Sequence, residues 1–216
     1  MHPLGPFDVT LVDKDGKQFE AHRNVLSEAS PFFEKLLQSD MKENKEGVIR
    51  LEMLAESLMK ETLEFIYTGH VQILSEENAK GLIMAADYLF LPNLKKIAGR
   101  FLECSMTISN CISTYHFAET YRCEELVAKA KTFIESNFTI VAKSEEFLNL
   151  TSHEVEEWIS SDEIVIDAEE DIFGIILGWI AKERKSRIGK FEELFRHVRL
   201  IFASRDILLK ELVTND

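Results

Sequence analysis

Residues 19–43, FEAHRNVLSEASPFFEKLLQSDMKE, decide the fold. Phe19 and Ala21 end an alternating apolar run, His22 and Arg23 follow, and Val25 and Leu26 open a short helical pattern. A second helix starts at once. Ser30 supplies a side-chain oxygen for free backbone N–H groups, Pro31 suits the first helical position, and Phe32, Phe33, Leu36 and Leu37 recur at helical spacing. Beyond Gln38 the chain turns polar except for Met41, set among Ser39, Asp40, Lys42, Glu43, Asn44 and Lys45. The stretch alone admits two readings. One is a helical hairpin that buries Phe32, Phe33 and Leu37 and leaves Met41 as an incidental surface residue. The other is a hairpin whose polar tip presents an apolar anchor to a partner.

Working outward, Phe7, Val9 and Leu11 alternate with Asp8 and Thr10, Asp13-Lys14-Asp15-Gly16 makes a turn, and Gln18–Ala21 resumes the alternation, so a β-hairpin is expected. Gly47–Leu51 reads as a third strand and Val71–Leu74 as a further short one. Between them Met59, Leu63 and Ile66 form a helical stripe that Gly69 ends; Ser75 caps a helix with Ala79, Leu82, Ala86 and Leu89 inside, and Pro92 opens another. From Ile108 onward only helical spacing appears. The stripes are Ile108, Cys111, Ile112 and Tyr115, then Leu126, Ala130, Phe133 and Ile134, with a short helix from Ser144 and another carrying Val155, Trp158 and Ile159. Asp167 with Glu170 looks like a capping box for a helix holding Ile172, Phe173, Ile176 and Trp179, and Ser204 opens a last helix with Ile207, Leu208 and Leu212. The expected architecture is an α+β domain over 7–106, followed by an all-α domain of antiparallel helix pairs over 107–213.

The net charge of −13 opposes nucleic acid or an anionic membrane as the main partner, since both call for a basic face. Lys182, Arg184, Lys185, Arg187 and Lys190 do cluster, but between two helical patterns, where a solvated loop is expected. Three cysteines, Cys104, Cys111 and Cys123, fit a reducing compartment better than a disulfide framework, and no leader or membrane span is visible. The chain is expected to be cytoplasmic, with the nucleus also open to it.

No phosphate-cradling glycine motif, H-E-x-x-H or paired C-x-x-C occurs. The spacings of Cys104, Cys111, His116 and Cys123 do not converge on a metal, and His22, His70, His153 and His197 are scattered. His22 is expected to orient backbone, and the paired glutamates Glu145-Glu146, Glu156-Glu157 and Glu192-Glu193 to trim helix starts and polar faces. No catalysis, cofactor or metal is expected.

The ordered series Phe7-Asp8-Val9-Thr10-Leu11, Phe19-x-Ala21-His22-Arg23-x-Val25-Leu26-x-x-x-Ser30-x-Phe32-Phe33, Phe65-x-Tyr67-Thr68-Gly69 and Ala85-Ala86-Asp87-x-Leu89 resembles a BTB/POZ domain. Ser109-Asn110-Cys111, Phe133-Ile134-x-x-Asn137-Phe138, Glu169-x-x-x-Phe173 to Trp179 and Val198-Arg199-Leu200 resemble a BACK domain. Together they resemble the Kelch-like proteins, substrate adaptors of cullin-3 RING ubiquitin ligases. The resemblance implies that Met41-Lys42-Glu43 is the contact motif for the cullin-3 N-terminal region, supported by Tyr67, Tyr88 and the 3-box helix pair over 107–138. It further implies a homodimer through the BTB domain, although only Met1–Pro6 stand where the family carries a dimer-crossing helix, and a protein substrate bound by a kelch propeller that is not found after Val213. The alternative is a BTB oligomerisation module of a cytoskeletal or transcriptional scaffold with no ligase role.

Overall fold

The computed structural model describes residues 5–38, 46–166 and 168–198. They fall into two compact units, Met1–Ser105 with Ala118–Leu126, and Met106–Phe117 with Val127–Asp216. The expected helix from Ser204 and the residues Met41, Glu43, Asp167, Arg199 and Leu200 lie outside the described residues.

In the first unit, β1 (Val9–Val12) pairs antiparallel with β2 (Gln18–Ala21) and parallel with β3 (Val48–Arg50), in the order β2-β1-β3. The register sets Val9 opposite Ala21 and Val12 opposite Gln18. Asp13 closes the connection: its Oδ1 accepts from the N–H groups of Asp15 and Lys17, at 2.9 and 2.8 Å, and Gly16 takes the left-handed φ of 86° that the turn requires. Val9, Leu11 and Ala21 point into the core, whereas Phe7, expected to share the alternation, is exposed and rests its ring on His22. The Val71–Leu74 stretch pairs with none of the described strands. Leu74 is exposed and gives its N–H to the Asn78 side chain, so the run leads into a helix cap rather than a sheet.

Helices α1 (Arg23–Ala29) and α2 (Pro31–Gln38) form the hairpin. The Ser30 hydroxyl between them is buried; it donates to the Leu89 carbonyl and accepts from the Phe32 N–H at 3.1 Å, tying the hairpin to the end of α4 (Glu76–Tyr88). Helix α3 (Glu56–Thr68) ends at Gly69, whose φ is 73° and whose N–H reaches the Phe65 carbonyl. The Ser75 side chain caps α4 by accepting from Asn78, and Pro92 opens α5 (Pro92–Cys104). A Cβ built at Gly81 would come within 2.9 Å of a Leu58 methyl on α3, so a larger residue there would make that side chain shift.

The second unit is helical. Its core joins Ile112, Ile134, Phe138, Phe147, Val155, Trp158, Phe173, Ile176, Trp179 and Leu194. Helix α6 (Cys111–Thr120) is capped from a distance: the Glu146 carboxylate accepts from the N–H groups of Ile112 and Ser113, at 3.1 and 3.3 Å. Glu146 is therefore a structural acceptor rather than surface trim. Helix α7 (Glu124–Ser136) follows, then the short α8 (Phe138–Val141) and α9 (Glu145–Leu148).

Helix α10 (Ser152–Ile159) carries a full capping box that the sequence reading passed over. The Thr151 N–H and hydroxyl donate to Glu154 Oε2, at 2.7 and 2.6 Å, while the Glu154 N–H returns to the Thr151 oxygen. Burial pushes the Glu154 carboxyl up, yet the two Thr151 donors and the nearby His116 and His153 outweigh it and leave the carboxyl below the usual range. A lowered folded-state value stabilises above the unfolded pKa and loses that contribution as pH falls through the folded one. Thr151→Ala is accordingly expected to cost about 1 kcal/mol at neutral pH. The gap from wild type should narrow as pH falls through the lowered folded-state range and Glu154 protonates; urea midpoints measured at neutral and acid pH check this.

The expected box begins at Asp167, outside the described residues; a half-box is seen one residue on. Ala168 precedes α11 (Glu169–Lys182) and donates its N–H to Asp171 at 3.1 Å; alanine has no acceptor to return, so only half of the motif forms. The basic cluster also needs correction. Arg187, in the short α12 (Arg184–Arg187), is buried rather than solvated, and donates to the carbonyls of Leu148 and Trp179 at 2.7 and 2.9 Å. Helix α13 (Phe191–Phe195) follows, with Phe173 meeting both Phe191 and Phe195 edge to face.

Candidate protein-docking site

Helix α2 turns Phe33 and Leu37, one helical turn apart, into the core. Phe32 and Leu36 stand one position earlier, about 100° around the axis, and so face sideways. With Pro31 and Lys35 on the same helix and Phe90 just past α4, they line a groove of about 290 Å³. Phe32 is thus only half-buried, and its burial in the core, one of the expectations above, does not hold. Tyr88, the last residue of α4, is half-buried with its ring centroid 5.3 Å from that of Phe32, which places it beside this groove.

Tyr67 is used differently. It lies in the last turn of α3, and its hydroxyl accepts from the His22 N–H at 2.9 Å and meets His22 Nδ1 at 2.9 Å. The other ring nitrogen, Nε2, lies 2.9 Å from the Gly5 carbonyl, which can only accept. In the neutral ring the proton therefore sits on Nε2, and Nδ1 accepts from Tyr67. The imidazole is fully committed to holding the chain in place, the orienting role expected of His22. Tyr67→Phe removes the one hydroxyl that serves both the backbone N–H and Nδ1 of a buried histidine, and is expected to cost about 1–3 kcal/mol, read from the urea midpoint.

Met41 and Glu43 lie outside the described residues, so of the expected contact residues the structure places Tyr67 and Tyr88. Phe32, Leu36 and Phe90 line the groove beside Tyr88. Leu36 was read as part of a helical stripe, and Phe90 carried only a weak signal: an aromatic residue just where a helix gives way to Leu91-Pro92.

The remaining chemistry is quiet. Among the described residues no group of three or more His, Cys, Asp or Glu side chains is arranged to hold a metal. Burial, reinforced by the Glu146 charge, pushes the Cys111 thiol up to about 11, and burial raises Cys123 as well despite nearby Lys95. Both shifts work against a nucleophilic thiolate. No helix among the described residues is long and apolar enough to cross a membrane.

Comparison with known proteins completes the assignment. Residues 5–106 match the family model described as BTB/POZ domain, and residues 111–213 the model described as BACK, BTB And C-terminal Kelch. Kelch-like protein 2 of Homo sapiens is 34% identical over 205 residues, covering 95% of this chain and 34% of that protein. Kelch-like protein 21 of Danio rerio is 34% identical over 203 residues, with 94% and 33% covered. For Kelch-like protein 3 of Homo sapiens the identity is 32% over 203 residues, with 94% and 34% covered. The chain thus spans about a third of the length of the curated relatives it matches. An α+β unit matched as BTB/POZ and a helical unit matched as BACK, aligned through almost their whole length with proteins named Kelch-like, make this chain a member of the Kelch-like family.

Proposed function

We propose that the chain is a non-catalytic adaptor that binds the N-terminal region of cullin-3 and so links a protein substrate to a RING ubiquitin ligase in the cytoplasm. The observation that carries this reading is the apolar groove that Phe32 and Leu36 of α2 form with Phe90, just past α4. The last described residue of that helix, Gln38, is followed three positions later by Met41, a reach of at most about 11 Å at full extension. A groove and a linked anchor are what an amphipathic partner helix needs: a channel for its apolar face, and a flexible thioether with a carboxylate to fix its register. Helices α6 and α7, the 3-box pair, extend the same docking role.

The adaptor works by proximity. Holding a substrate and a ubiquitin-loaded enzyme on one scaffold raises their effective concentration without any chemistry in this chain. The substrate is held by a domain outside these residues, and a homodimer through the BTB unit would present two such scaffolds together. Calorimetric titration with the cullin-3 N-terminal region tests the reading: saturable binding of one cullin per chain is expected. No binding at about 100 μM would remove it and leave an oligomerisation module without a ligase role.

A further inference from the structure

Among the described residues two that are not glycine adopt a left-handed backbone, Phe90 and Arg122, each with φ of 51°. Each follows a helix end of the same design. At the end of α4 the Leu91 N–H reaches back to the Ala86 carbonyl at 2.8 Å and the Phe90 N–H to the Asp87 carbonyl at 3.3 Å. At the end of α6 the Cys123 N–H reaches Ala118 and the Arg122 N–H reaches Glu119, at 2.8 and 3.0 Å. This is the Schellman pattern, whose left-handed residue is usually glycine because any Cβ there is crowded. A bulky aromatic at that position is a real departure, and such strain persists only where something compensates for it.

Packing within the domain does not compensate at Phe90. The neighbouring Leu91 is buried and supplies the apolar contact of the motif, while Phe90 is 62% exposed. What the ring does is line the groove together with Pro31, Phe32 and Leu36. The geometry points to Phe90 as a specificity residue of the docking site, held against its own backbone preference so that its ring shapes the groove for the partner. This inference rests on the cullin-3 reading above. The occupant is an apolar side chain on a helix of the cullin-3 N-terminal region, followed or preceded by a carboxylate that meets Lys35. Among the described residues that line the groove Lys35 is the one cation, on a chain whose net charge is −13, so the site favours an acidic flank.

The test separates fold from function, because a residue kept for packing and one kept for binding respond in opposite directions. Phe90→Gly and Phe90→Leu, made in the whole chain, are compared with wild type for urea midpoint and for affinity toward the cullin-3 N-terminal region. Phe90→Gly should raise the midpoint and weaken binding by about tenfold or more. Phe90→Leu, apolar and just as strained, should leave the midpoint near wild type and lose less affinity than the glycine variant. A glycine variant that is less stable would show that the ring serves the fold, and one that is more stable but binds as tightly would show an idle ring; either overturns the inference. A shift in self-association by light scattering, with cullin affinity unchanged, would make a second copy the occupant and also overturn it. Failure of the wild type to bind is a different outcome, visible before any variant is compared, and it removes the cullin-3 reading together with this role.

Discussion

Arg187→Ala is expected to destabilise the BACK unit by about 2–4 kcal/mol, the largest loss foreseen for one side chain here. The guanidinium lies 4.3 Å over the Trp179 ring and donates to the carbonyls of Leu148 and Trp179, while Glu183 sits one turn away at 3.7 Å. Alanine would leave those two carbonyls short of a donor and open a void over the indole. Trp179 cannot make up the difference, because its own Nε1–H already serves the Leu150 carbonyl at 2.9 Å. Arg187 and Trp179 thus fasten α11 and α12 to the Leu148–Leu150 segment from both sides. Lysine should rescue little, since a single ammonium cannot reproduce a planar fork stacked on an aromatic face. Urea midpoints of Arg187→Ala, Arg187→Lys and an exposed control, Lys185→Ala, decide the matter. Equal midpoints for Arg187→Ala and Lys185→Ala would show that the buried contacts contribute nothing.

Arg187 also marks where sequence reading ran out. Five basic residues between two helical patterns look solvated, and for the exposed Lys185 the structure agrees. The acceptors that make Arg187 different include a carbonyl 39 residues earlier, which local composition cannot announce. Glu146 teaches the same point, since the helix start that it caps lies 34 residues before it. Devices that act within a few residues were legible: the Asp13–Gly16 turn, the caps at Ser75 and Ser144, the stop at Gly69 and the start at Pro92. The Val71–Leu74 stretch failed for a related reason, because alternation signals a strand only where a neighbouring strand accepts it. At the groove, Phe32 and Leu36 were visible in one helical stripe with Phe33 and Leu37, and Phe32 was assigned to the core. One step of helical register separates the two fates, and a run of adjacent apolar residues does not say which pair turns inward.

The second large effect is expected at the tip that opened the sequence reading. Alanine at both Met41 and Glu43 should weaken cullin-3 binding by about a hundredfold, because a buried apolar anchor and a charge that is desolvated on docking are the two contact types that dominate interfaces. Stability should stay close to wild type, since these residues belong to the polar tip of the sequence. That combination distinguishes a docking role from a structural one: Tyr67→Phe should lower the urea midpoint with little effect on the affinity of the folded protein, and Met41→Ala/Glu43→Ala should do the reverse. The measurement that bears most directly on the adaptor reading is therefore a calorimetric titration of the cullin-3 N-terminal region into wild type and into Met41→Ala/Glu43→Ala. The account predicts saturable wild-type binding that falls by about a hundredfold in the double variant at an unchanged urea midpoint; a double variant that binds as tightly as wild type would contradict it.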